Sequence, residues 1–208
     1  MAWWRAVGGE LSALGALALS MPLDLLLPRR PFDPTAPHPT PVVFVHGVCG
    51  AASNFLVLRT FLAHRGVRNF ASLSYVPRVD YQRMALPLAQ LIETVCRDAQ
   101  TPFVDVVGHS LGGLVARYLV ELANESRVRR LVTLGAPYYG ERRPSQELAI
   151  FAAHDALVPP PADRRSRVMV VEDCGHLNLL RHPAVLCAVA RFLCAPSASS
   201  WSMARDAA

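Results

Sequence analysis

Lysine is absent from this chain: all 21 basic residues are arginine, and against 16 acidic ones they leave a formal charge of +5 over 208 residues. The arginines never run beyond neighbouring pairs (Arg29-Arg30, Arg129-Arg130, Arg142-Arg143, Arg164-Arg165), and no aromatic-interleaved patch accompanies them, which excludes a nucleic-acid surface. Charge of either sign is scarce. With 18% of residues charged and 52% hydrophobic, the chain can bury a sizeable core, and intrinsic disorder is excluded. Long hydrophobic runs are missing as well: none reaches the roughly 20 residues that cross a bilayer, which excludes a polytopic membrane protein despite a mean hydropathy of +0.25. The five cysteines form no C-x-x-C pair, so zinc-site spacing is absent. Cys187 and Cys194 stand about 10.5 Å apart along a helix axis, too far to bridge. They read as free thiols, as does Cys96, while a Cys49–Cys174 bridge stays open because both flank one prospective site.

At this length one domain is expected, with short appendages. Residues 1–31 are apolar with sparse charge, 32–41 form a proline-rich linker held extended by local sterics, 42–195 form the folded body, and 196–208 form a small polar tail. The first segment admits four readings. Arg5, Leu11–Leu19 and the Ala16-x-Ala18 pair fit a signal peptide loosely, against the intrusion of Glu10. Pro22 and Asp24 interrupt a spanning helix. A helix packed on the body is the third reading. Trp3, Trp4 and the leucines best suit a helix lying at a membrane interface, with Arg5, Arg29 and Arg30 toward anionic headgroups. Membrane-surface contact and a membrane-associated or secreted location are therefore expected, with the chain acting as a monomer.

Inside the body, short apolar runs alternate with helical patterns. Strands are expected at Val42–Val45, Phe70–Ser74, Phe103–Val107, Val128–Leu134, Leu148–Ala152 and Val168–Val171. Helices are expected near Phe55–His64, Met84–Arg97, Ser110–Ala123 and His182–Leu193. Such an alternation predicts an α/β fold, a mostly parallel sheet of about six strands covered by helices on both faces.

The strongest chemical signal is Gly108-His109-Ser110-Leu111-Gly112, set between an expected strand and an expected helix as a nucleophile elbow requires. Flanking side chains would clash in so tight a turn, hence Gly108 and Gly112. A serine hydroxyl needs a general base, itself oriented by a carboxylate. His176, after the last strand, and Asp155, at the carboxyl end of the strand before it, meet the order serine, acid, histidine. His182 is the rival base, at a helix start where capping is its plainer role. Asp163, Glu172 and Asp173 are rival acids, and Asp105, inside a strand, reads as structural. An oxyanion needs N–H donors. The Leu111 amide is one, and Val48 in the His46–Gly50 loop is the candidate second. The His46 ring reads as holding that loop, and His109 as packed behind the elbow.

Together, Val42–Phe55, the Gly-His-Ser-Leu-Gly-Gly elbow, Thr133–Pro137 and the loop Gly175–Leu180 resemble the small bacterial lipases of the α/β-hydrolase family. The resemblance covers residues 42 to about 193. It implies a carboxylic-ester hydrolase with Ser110, Asp155 and His176 as triad and Val48 and Leu111 as oxyanion donors, acting on a lipid or small ester. Only ten residues separate Pro137 from Leu148, where larger lipases insert lid helices, so a minimal, lidless version is implied. No cofactor is expected, and no acidic cluster suggests structural calcium. A thioesterase or acyltransferase would use the same triad, while a non-catalytic scaffold would be expected to have lost one of its members.

Overall fold

Val42–Val45 is four apolar residues in a row, and all four are buried because the pleat sends Val42 and Phe44 to one side and Val43 and Val45 to the other. This strand, β1, joins β2 (Phe70–Leu73), β3 (Val104–His109), β4 (Val128–Leu134), β5 (Glu147–Ala152) and β6 (Val168–Val171). In the structure, a computed structural model that describes residues 8, 12, 32–48, 50–73, 75, 80–121, 123, 125–137, 146–162 and 168–195, they form one six-stranded sheet. Every neighbouring pair is parallel, in the order β2-β1-β3-β4-β5-β6.

Helices α1 (Leu56–Ala63) and α4 (Pro183–Cys194) cover one face. Leu58, Leu62, Val185, Val189 and Leu193 pack there on Phe44, Val107, Val132 and Ile150. Helices α2 (Tyr81–Asp98) and α3 (Leu111–Glu121) cover the other. Leu88, Ile92, Val115 and Leu119 meet Val43, Val45, Val106 and Leu131 on that side. The expected α/β architecture, with helices on both faces, is the observed one.

Sheet order places the site. The chain runs outward from β1 to β2, then returns to the far side of β1 and continues through β3, β4, β5 and β6. The direction therefore reverses between β1 and β3, and at such a switch the loops leaving the two carboxyl ends part and open a crevice. Val45 pairs with Gly108, so the turns after β1 and β3 leave side by side.

Residues 32–41 differ from the expected linker, for they are stitched to the body. The Asp33 amide donates to Asn69 Oδ1 (2.7 Å), Asn69 Nδ2 returns a bond to the Asp33 carbonyl (2.9 Å), and the His38 amide donates to the Gly66 carbonyl (3.2 Å). Nor is the segment uniformly extended: it turns at Pro34-Thr35, where the Ala36 amide donates to the Asp33 carbonyl (3.3 Å) and the Thr35 amide to Asp33 Oδ1 (2.8 Å), and Ala36 and Thr40 are buried. The apolar segment 1–31 (apart from Gly8 and Ser12), Cys49, the connection 138–145, Asp163 and the tail 196–208 lie outside the described residues. The readings made for them, including the Cys49–Cys174 pairing and the absence of a lid, lie there too. Ser12 touches the body: its carbonyl accepts from Arg181 Nη1 at 3.0 Å.

Candidate active site

Ser110 follows β3 with φ at +53°, left-handed backbone that a side chain adopts only where its surroundings enforce it. Here the enforcement is close packing. A Cβ on Gly108 would lie 2.5 Å from the Gly113 Cα, and one on Gly112 would lie 2.2 Å from the Val45 carbonyl oxygen. Both obstacles are backbone, so neither can yield. The Ser110 amide donates to the Leu134 carbonyl (2.9 Å), while the Gly113 and Leu114 amides close the first turn of α3 on the Ser110 carbonyl.

Asp155 and His176 meet beside this elbow from the loops after β5 and β6. Because a carboxylate only accepts, His176 Nδ1 carries the hydrogen it donates to Asp155 Oδ2 at 2.6 Å, which leaves Nε2 with its lone pair. Asp155 Oδ1 accepts the Leu157 and Val158 amides, both at 2.8 Å, which fixes the carboxylate. Both side chains are buried. The two loops are also joined through backbone, since His154 donates to the Cys174 carbonyl at 3.1 Å. An imidazole held this way can take a proton at Nε2, and the buried carboxylate stabilises the resulting cation.

The rival positions go elsewhere. His182 caps α4, its Nδ1 accepting the Ala184 amide at 3.3 Å. Glu172 and Asp173 stand in the turn after β6, with Glu172 exposed. Asp105 is fully buried near the opposite end of the sheet, bound to Arg129.

The turn after β1 lies against the elbow: a Cβ on Gly47 would come within 2.9 Å of the Ser110 Cβ. Leu111 opens α3, and Val48 stands exposed in that turn. The His46 ring donates from Nδ1 to the Gly47 carbonyl (2.9 Å) and stacks on Tyr75, with centroids 4.4 Å apart. The Tyr75 hydroxyl donates to the His46 carbonyl, and burial pushes its pKa up, so it remains a donor.

Three features escaped the sequence reading. Tyr75 is one. Gly135, with φ at +53°, is the second: a Cβ there would sit 3.1 Å from His176 Nδ1 and 3.2 Å from Asp155 Oδ2. It is thus the floor beneath the Asp155–His176 bond, and the Thr-Leu-Gly-Ala-Pro segment was its only signal. The third is the buried pair of Arg117 and Glu147, joined at 2.6 Å. Arg117 also holds the Pro137 carbonyl (2.5 Å) and Thr133 Oγ1 (3.1 Å), which ties α3 to the strands on either side of Gly135.

The sequence profile of the palmitoyl protein thioesterase family matches residues 41–169. Esterase YbfF of Escherichia coli (strain K12) is 31% identical over 147 residues, which cover 67% of this chain and 54% of that protein. The chain thus spans about half the length of the curated relative it matches. Among solved structures, lipase BlEst2 of Bacillus licheniformis in its propeptide form aligns with a TM-score of 0.62 at 15% identity, over 81% of this chain and 53% of the other. Est1E from Butyrivibrio proteoclasticus aligns at 0.60 and 14% identity, over 76% and 89%. A CIB-like hydrolase from Thermoplasma acidophilum aligns at 0.59 and 17% identity, over 76% and 88%. At such identities the likeness is one of fold, that of the α/β hydrolases.

Proposed function

This chain belongs to the palmitoyl protein thioesterase family, and from that premise we propose that it is a serine hydrolase that cleaves acyl esters through an acyl-enzyme on Ser110. The observation that carries this reading is the 2.6 Å bond from His176 to Asp155, buried beside a serine held in a left-handed elbow. His176 Nε2 takes the Ser110 proton as Oγ attacks the acyl carbonyl. The Val48 and Leu111 amides receive the oxyanion. His176 then returns the proton to the departing alcohol, and a water activated by the same imidazole releases the acid.

A second reading differs only in the leaving group. The family match favours an acyl thioester, from which a thiolate departs, and the same groups serve that reaction. Steady-state kinetics on a chain-length series of nitrophenyl esters, beside acyl thioesters of equal chain length, separates the two. Hydrolysis of the esters that Ser110→Ala abolishes supports the first reading, and a kcat/KM preference for the thioesters supports the second. Equal turnover by wild type and Ser110→Ala would overturn both.

A further inference from the structure

His109 is buried, adjoins Ser110 in the chain and takes no part in the proton transfers above. Its Nε2 lies 3.2 Å from the His176 carbonyl oxygen, and since a carbonyl only accepts, Nε2 carries the hydrogen. The two imidazole rings also touch, with centroids 4.7 Å apart at 48°. On the opposite edge, a Cβ on Gly47 would lie 3.3 Å from His109 Nδ1. One side chain therefore abuts the turn after β1, the elbow and the histidine loop together.

We propose that His109 is a positioning residue: its imidazole wedges between Gly47 and the His176 loop, and its Nε2–H anchors the His176 backbone so that the His176 ring stands at the right height over Ser110. The proposal rests on His176 being the general base. Asp155 alone fixes the ring from one side, and rotation about that bond would swing Nε2 away from the serine. The anchored carbonyl and the ring contact resist that swing from the other side. The ionisable groups facing His109 are His176, Asp155 and His46. Burial first, then the His176 charge, pushes its pKa down to about 3, so the wedge is neutral wherever the base works and adds no cation beside an imidazolium.

Two amides and one hydrocarbon test it. His109→Gln carries an N–H donor near the position of Nε2, His109→Asn carries its own near Nδ1, and His109→Leu fills the space without a donor. Turnover of a short soluble ester, the rate of phosphonofluoridate inactivation and the melting temperature are measured for each. In His109→Leu, kcat and the inactivation rate should fall together, on the order of 10²-fold, with KM within about threefold of wild type. His109→Gln should recover most of that loss and His109→Asn should not. Equal activity of the two amide variants would overturn the proposal even if the leucine variant fails to fold, as would wild-type kcat in a folded His109→Leu. Phosphonofluoridate that leaves wild-type Ser110 unmodified would instead remove the reading on which the proposal rests.

Discussion

Two aspartate–histidine pairs occupy opposite ends of the sheet, and their surroundings give them different work. At the carboxyl end, Asp155 Oδ2 meets His176 Nδ1 at 2.6 Å, with Oδ1 held by two backbone amides and no arginine paired with it among the described residues. At the amino end, Asp105 Oδ2 lies 3.4 Å from His38 Nε2, but Arg129 grips both carboxylate oxygens, at 2.9 and 2.5 Å. The Arg129 charge neutralises Asp105, and the same guanidinium holds the Leu193 carbonyl near the end of α4 (3.3 Å). That cluster ties the 32–41 strap, β3, β4 and α4 together. Proximity of a carboxylate to an imidazole is therefore not chemistry in itself. What decides is whether the negative charge is left for the imidazole and whether a nucleophile stands in front of it.

The sharpest contrast comes from removing each charge. Asp155→Asn should lower kcat on the order of 10⁴-fold with the fold intact, because the amide no longer stabilises the imidazolium. Asp105→Asn should leave kcat of the folded protein unchanged and cost about 3 kcal/mol in urea unfolding, since a half-buried guanidinium loses its counter-charge. Were the two outcomes exchanged, the assignment of the ends would be reversed.

Acid should expose the next difference. His109 binds a proton in the folded chain only near pH 3, against an ordinary value of 6.5, so the unfolded chain holds more protons between those limits. Stability should therefore fall as pH drops from about 6.5 towards 3, at up to about 1.4 kcal/mol per pH unit, and urea titrations of His109→Gln should show a shallower acid limb.

Gly135→Ala acts only at the carboxyl end. A left-handed alanine costs about 1–2 kcal/mol, and its methyl group would press on the Asp155–His176 bond. Melting temperature and kcat should both fall, the latter by about tenfold. Smallest of all should be His182→Ala, which removes a helix cap worth at most about 1 kcal/mol and should leave kcat unaltered in the same assay.

Much of this architecture was legible because the buried strands are continuous apolar runs bounded by turn residues. β1, β4 and β6 have the bounds that the sequence suggested. The departures have local causes. α2 begins at Tyr81, a turn ahead of the apolar pattern, because Asp80 Oδ1 caps it by accepting the Arg83 amide. β5 begins at Glu147, a charge that hydropathy would place in a loop and that Arg117, 30 residues away, makes buryable together with a bond from Thr133 Oγ1. The exposed Phe103 stands just outside β3, although its side chain suits a strand. Ser110, Asp155 and His176 could be read from motif and order, since chemistry restricts their residue types. Gly135, Tyr75 and the role of His109 could not, because their work is contact across the fold, and contact leaves no trace in local spacing.

In the proposed reaction Ser110 is the nucleophile that the carboxyl-end pair activates. Peptide mapping by mass spectrometry after reaction with a fluorophosphonate tests it most directly, on wild type, Ser110→Ala, Asp155→Asn and Asp105→Asn. A single adduct is expected on Ser110 in wild type and, at an equal rate, in Asp105→Asn. Asp155→Asn should form the adduct much more slowly, and Ser110→Ala should form none. An adduct on another residue, or one that forms as fast in Asp155→Asn as in wild type, would contradict that role for Ser110.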